Sequence, residues 1–290
     1  MSQSAPQPLS PPGRQPTPAL VADPPVDAAH SAGLVAFVLP SHGSGMDAVM
    51  YTAAGAGPHP TLLLLHGFPG NEQNLDLAQA ARRSGWNVLT FHYRGSWGSE
   101  GAFSFGRAAE DAVAALAWLR RPDTIARFAI DPARIAVAGH SMGGVLGAGA
   151  AAGDPAVIGT FLIEPANMAG TGRRMKADPA FRRRFVEEEL RGDLPPLAGT
   201  GEAQLVAELE SAPLAIDLAH HLPALAGRPL VLAYASRAIG ATDRVPMEAV
   251  ARQAGATRLT VVEWPTDHSF SDHRIALTDL LLRWLAALPR

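Results

Sequence analysis

Ala136-Val137-Ala138-Gly139-His140-Ser141-Met142-Gly143-Gly144 is the stretch that decides how the rest of the chain is read. An apolar run, residues 134–138, leads into Gly-x-Ser-x-Gly, and an alanine-rich segment suited to a helix follows. So short a turn between strand and helix holds the serine in strained backbone geometry and projects its hydroxyl into a cleft. Glycine two residues to either side removes the side chains that would collide with the neighbouring strand and helix. The N–H groups opening the helix point to where negative charge would develop. Gly-x-Ser-x-Gly alone is a weak signal, because both residue types are common in loops. Set between a strand and a helix, it predicts a nucleophilic serine at Ser141.

On the N-terminal side, Leu34-Val35-Ala36-Phe37-Val38-Leu39 and Ala48-Val49-Met50-Tyr51 flank Ser41-His42-Gly43-Ser44-Gly45, the pattern of an antiparallel hairpin. Thr61-Leu62-Leu63-Leu64-Leu65 is apolar throughout rather than alternately, as a strand covered on both faces of a parallel sheet must be. Periodicity then alternates: helix at 74–84, strand at 86–92, helix at 105–120, strand at 134–138, helix at 142–152 and strand at 157–164. After an interruption come a strand at 229–235, a helix at 245–253, a strand at 258–263 and a helix at 271–288. This order predicts an α/β fold, a mostly parallel sheet with helices on both faces.

The interruption, residues 165–226, differs in composition. Arg173, Arg174, Lys176, Arg182, Arg183 and Arg184 precede Glu187-Glu188-Glu189, with helical periodicity over 179–190 and 202–210. It is too long for a plain connection and is read as an inserted helical lid. Its charge runs are read as solvated helix faces.

The chain has 290 residues, enough for one α/β domain over residues 31–290 carrying that insertion. Hydrophobic content of 47% and charged content of 18% suit a globular protein. A net charge of −3 gives no reason to expect a nucleic-acid or anionic-membrane partner. The absence of cysteine excludes disulfides, thiolate metal sites and a cysteine nucleophile. Residues 1–30, opening on a proline-, serine- and glutamine-rich stretch, are expected to be mobile, since they bury too little to offset ordering entropy. That segment lacks the apolar core of a signal peptide, and no stretch suits a membrane span, so a cytoplasmic location is expected.

A serine hydroxyl attacks only when a base removes its proton. His268, in Val261-Val262-Glu263-Trp264-Pro265-Thr266-Asp267-His268, follows a predicted strand at the carboxyl edge, where Ser141 must also sit. Among the other histidines, His66 is read as structural and His140 as the variable elbow residue. His220 and His221 are read as a surface pair, and His273 as part of the last helix. A carboxylate should orient the base. Asp243, after the strand at 229–235, gives the order Ser, Asp, His; Glu164, at the end of the strand before the insertion, is the alternative. Asp267 adjoins His268 and is poorly placed to bond its ring. Two N–H donors must meet the oxyanion. Met142 follows the nucleophile, and Phe68 lies in His66-Gly67-Phe68-Pro69-Gly70, where Pro69 has no N–H to give.

His66-Gly67-Phe68-Pro69-Gly70, Tyr93-Arg94-Gly95-Ser96-Trp97-Gly98-Ser99, Gly139-His140-Ser141-Met142-Gly143 and Asp267-His268 together resemble the α/β-hydrolase superfamily. They look most like its serine esterases and acyl-peptidase-like members with a lid. The resemblance covers residues 34–288 and implies cofactor-free, metal-free hydrolysis of a small-molecule carboxylic ester or amide. Its acid usually stands about three residues past the strand end, here Ala238, so Asp243 is displaced by a small insertion. The leading reading is a serine hydrolase of carboxylic esters with a small or medium acyl group; a peptidase or amidase with the same triad and a silent scaffold that binds a ligand are the alternatives.

Overall fold

Leu62, Leu63, Leu64 and Leu65 lie at the centre of the molecule with almost no exposed surface, as their uninterrupted apolarity requires. The computed structural model describes residues 15–238 and 247–289. In chain order, α1 (Pro18–Val21) precedes the hairpin strands β1 (Gly33–Ser41) and β2 (Ser44–Thr52). β3 (His59–Leu65), α2 (Leu75–Arg83), β4 (Asn87–Phe91), α3 (Phe105–Leu119) and α4 (Pro122–Phe128) follow. Next come β5 (Ile130–His140), α5 (Met142–Gly153) and β6 (Val157–Ile163). The long connection carries α6 (Met168–Ala177), α7 (Pro179–Phe185), a π-helical turn at Val186–Leu190, α8 (Glu202–Ser211) and α9 (Leu218–Leu225). β7 (Leu230–Ala235), α10 (Met247–Gln253), β8 (Leu259–Trp264) and α11 (Arg274–Ala287) complete the described chain.

Among the described residues the strands form one eight-stranded sheet in the order β1-β2-β4-β3-β5-β6-β7-β8. β1 and β2, and β2 and β4, pair antiparallel; every other neighbouring pair is parallel. Successive residues of a strand face opposite sides. Leu63, Leu65 and Val137 accordingly join the apolar layer containing α3, α5 and α9 residues, whereas Leu62, Leu64, Ala136 and Ala138 join the one containing α2 and α11 residues. Burying each of these leucines contributes roughly 1.5–3 kcal/mol.

Two expectations are corrected, and part of the N-terminal segment is docked on the domain. Thr17 donates from its backbone N–H and hydroxyl to Asp279 Oδ1 (3.2 and 3.1 Å), and Ala19 packs with Ala80 and Leu282 between α2 and α11. Arg83 and Arg283 bind the Ala19 and Gln15 carbonyls at 2.8 and 2.6 Å. A small apolar residue and two arginine clamps thus hold what composition alone reads as unanchored. α11 begins at Arg274 rather than 271, because Asp267 Oδ1 takes the Ser271 N–H (2.8 Å) in the preceding turn and His273 stands at the cap. β5 begins at Ile130, four residues earlier than its apolar run, because Ile130 pairs with His59 before a register shift leads to the Thr61–Ile135 pair.

The helical readings at 179–190 and 202–210 correspond to α7 with its π turn and to α8. The connection lies against the loop after β4: Ala198 N–H donates to Gly95 O (2.8 Å), Trp97 N–H to Pro196 O and Phe103 N–H to Ala198 O (both 2.9 Å). Glu208 accepts the Phe105 and Gly106 N–H groups at 2.9 and 2.7 Å, a carboxylate at the positive end of α3. The last helix of the segment, α9, packs on α5 as part of the layer covering the sheet.

Candidate active site

β5 ends at His140 and α5 begins at Met142, so Ser141 alone makes the turn, with φ 54° and ψ −118°. A non-glycine residue held there stores strain, which persists only where the surroundings over-determine it. A Cβ on Gly139 would lie 2.0 Å from Gly143 O, and one on Gly143 2.3 Å from Leu65 O, so both positions need glycine. The backbone locks the turn: Ser141 N–H donates to Ile163 O (2.9 Å), and Ser141 O accepts from Gly144 N–H and Ala166 N–H (both 3.0 Å). The connection therefore starts against the elbow.

The loop leaving β3 closes on Ser141. A Cβ on Gly67 would stand 2.9 Å from Ser141 Cβ and 3.5 Å from its Oγ, so glycine admits the Gly67–Phe68 peptide beside the hydroxyl. Met142 N–H is the first of α5. No hydrogen bond to the Met142 or Phe68 N–H is found among the described residues.

Three hydrogen bonds set that loop. His66 Nδ1 lies 2.7 Å from Gly67 O, and since a carbonyl only accepts, Nδ1 carries the proton. His66 Nε2 is then left to accept from His92 Nδ1–H at 3.2 Å. Carbonyl and N–H of one trans peptide point opposite ways. Tethering Gly67 O therefore aims Phe68 N–H away from His66. The Trp97 indole donates to Pro69 O at 2.8 Å, and Tyr93 hydroxyl to His66 O at 3.0 Å. Beneath them, buried Asp111 accepts from Ser41 Oγ (2.6 Å), Arg94 N–H (2.9 Å) and Arg94 Nε (2.5 Å), anchoring the segment that carries Tyr93 and Trp97. Tyr93 and Trp97 stand in the Tyr93–Ser99 motif, whose sequence alone does not reveal these bonds. His92 went unnoticed because its partner is 26 residues away.

His268 stands in the loop after β8, exposed, and its carbonyl accepts from His140 Nε2–H at 2.8 Å. The two imidazoles lie 4.7 Å apart, which brings His268 beside the residue preceding Ser141. Asp267 turns instead to the Ser271 N–H, which holds its carboxyl below the ordinary range. Glu164, buried and with φ 41°, accepts the Ala235 N–H at 2.6 Å, bridging the carboxyl ends of β6 and β7. Asp243 lies outside the described residues. His221 Nε2–H meets Ala215 O at 3.2 Å, and no cluster of three metal-ligating side chains occurs among the described residues. No described helix is long and apolar enough to cross a membrane.

Burial lowers the pKa of His66 to about 4 and of His140 to about 3 from an ordinary 6.5. The unfolded chain takes up these protons as pH falls through 6.5, while the folded state resists until about 4 and about 3. Stability rises with pH wherever the unfolded state binds more protons. It should therefore be complete above pH 6.5 and decline below it, His66 alone contributing a loss of about 3 kcal/mol by pH 4. Thermal melts from pH 7 to 4 should show a falling Tm; an unchanged Tm would contradict the buried neutral imidazoles.

A family model described as the alpha/beta hydrolase family matches residues 62–280. Two uncharacterized proteins of Mycobacterium tuberculosis are each 37% identical over 106 residues, 36% of this chain. The match spans about a third (35%) of the length of these relatives. The carboxylesterase EstE1, cloned from a metagenomic library, superimposes with a TM-score of 0.62 at 23% identity, covering 94% of this chain and 92% of its own. Est1E from Butyrivibrio proteoclasticus with ferulic acid bound gives 0.64 at 17% identity, covering 86% and 98%. At these identities the structural likeness shows the fold.

Proposed function

The chain belongs to the alpha/beta hydrolase family, and from that premise we propose that it is a serine hydrolase cleaving a carboxylic ester of small or medium acyl size. The observation that carries this reading is Ser141 alone between β5 and α5, at φ 54°, with Gly67 closed against it. Ser141 Oγ attacks the ester carbonyl carbon while His268 accepts its proton. The carbonyl oxygen becomes an oxyanion between the Phe68 and Met142 N–H groups, aided by the positive end of α5. Collapse breaks the bond to the leaving alkoxide, which takes the proton from His268 and departs as an alcohol. Water, deprotonated by His268, then attacks the acyl-enzyme, releasing the acid and restoring Ser141. Asp243 is the proposed orienting carboxylate on chain order, with Glu164 as the alternative.

Residues 165–226 are proposed to act as the lid, choosing substrates rather than supplying chemistry. The Ala166–Ser141 bond and the backbone pairing with Gly95, Trp97 and Phe103 support that placement. The half-buried Phe68 ring and the partly exposed Trp97 offer apolar surface at the oxyanion loop, suited to an acyl chain. Likeness of fold to a carboxylesterase and to a protein holding ferulic acid agrees with an ester substrate.

The test is turnover of p-nitrophenyl esters of graded acyl length beside the matching p-nitroanilides. Esters should be cleaved and anilides far more slowly. Preference for anilides would move the reading to an amidase, and no turnover of either by folded protein would leave a binding scaffold.

A further inference from the structure

The mechanism leaves His140 without a role, yet its imidazole is 3% exposed at the end of β5. Its Nε2 donates to the His268 carbonyl at 2.8 Å, and the two rings pack at 4.7 Å with planes 43° apart. Its Nδ1 is buried with no hydrogen-bond partner among the described residues. A buried, unpaired nitrogen is destabilising, because it loses its water partners and gains none. A ring kept for packing would avoid that cost as phenylalanine, so the imidazole is explained by what its Nε2 touches.

We propose that His140 is a positioning residue for His268: its Nε2–H bond to the His268 carbonyl, with the ring contact, ties the base's loop to the nucleophile's own strand. The inference rests on Ser141 and His268 being nucleophile and base. β8 is separated from β5 by β6 and β7, and His268 itself is exposed in a loop. The loop is anchored to its own surroundings by Arg237 N–H on Thr266 O (3.0 Å) and Arg274 on Ser269 O (2.9 Å), and the His140 bond is what ties it to the strand that carries Ser141. The tie sets the base's loop directly against the residue before the nucleophile. His140 is rigid at its own end, because it pairs with Ile163 in the β5–β6 ladder. Burial and the neighbouring His268 keep its imidazole neutral, so it adds no like charge when His268 takes the Ser141 proton. Misplacing a catalytic group by about 1 Å can cost about a hundredfold in rate.

The test compares His140→Met, which keeps volume and removes the donor, with His140→Gln, which keeps an N–H at similar reach. His140→Met should lower kcat by about ten- to a hundredfold with KM within about twofold, and His140→Gln should recover most of the loss. His268→Asn and fluorophosphonate labelling of Ser141 run alongside. If His268→Asn keeps turnover, or the label avoids Ser141, the underlying reading fails and the inference falls with it. If both controls hold but His140→Met keeps wild-type kcat, the inference alone is overturned. Should a variant not fold, the imidazole 15N spectrum of the wild-type protein decides. An Nε2–H tautomer for His140 supports the tie, and an Nδ1–H tautomer overturns it.

Discussion

Replacing Ser141 with alanine should lower ester turnover by about a millionfold, the scale seen when the nucleophile of a serine–histidine–acid machinery is removed. In the proposed mechanism, loss of one hydroxyl has so large an effect because every later bond change passes through the acyl-enzyme it forms. The variant should still fold. The elbow is held by the Ser141 backbone, through Ile163, Gly144 and Ala166, and by glycines that alanine at 141 does not disturb. A melting temperature close to wild type, with turnover gone, is the expected pair of readings. Full activity would show that another residue attacks the substrate.

The second large effect concerns the carboxylate proposed to orient His268. Asp243→Asn should lower kcat by about ten-thousandfold, because an amide favours the wrong imidazole tautomer and cannot stabilise imidazolium. Glu164→Gln should cost much less. The Glu164 carboxylate accepts the Ala235 N–H at 2.6 Å, and the amide oxygen of glutamine can accept the same bond. Steady-state kinetics of the two variants decide the assignment. The reverse order would transfer the role to Glu164, and little effect from either would leave a Ser–His dyad.

The parts of this fold legible in the sequence are those whose cause is local. Leu62 to Leu65 read as a doubly covered strand because no polar residue interrupts them, and they are the buried centre of the sheet. Gly139 and Gly143 read as an elbow because the turn admits nothing larger, and the clashes a Cβ would meet bear this out. α4 and α9 were missed as helices: α4 is seven residues long, and α9 carries Pro223 within it. A short helix and an internal proline both weaken the periodic signal. The docking of Thr17 depends on Asp279, 262 residues away, and the place of His140 on His268, 128 residues away. Pairings of that kind leave no trace in spacing. His140 was thus read as a variable position, although in the structure its side chain meets the loop of the candidate base.

Fluorophosphonate labelling of the full-length protein, followed by peptide mapping, tests the central claim most directly. The reagent traps an activated serine hydroxyl whatever the natural substrate is. One equivalent of label on Ser141, with none on Ser96, Ser99 or Ser269, is the result expected of a nucleophile held at the β5–α5 elbow. Label on one of those serines instead, or none on folded protein, would contradict it.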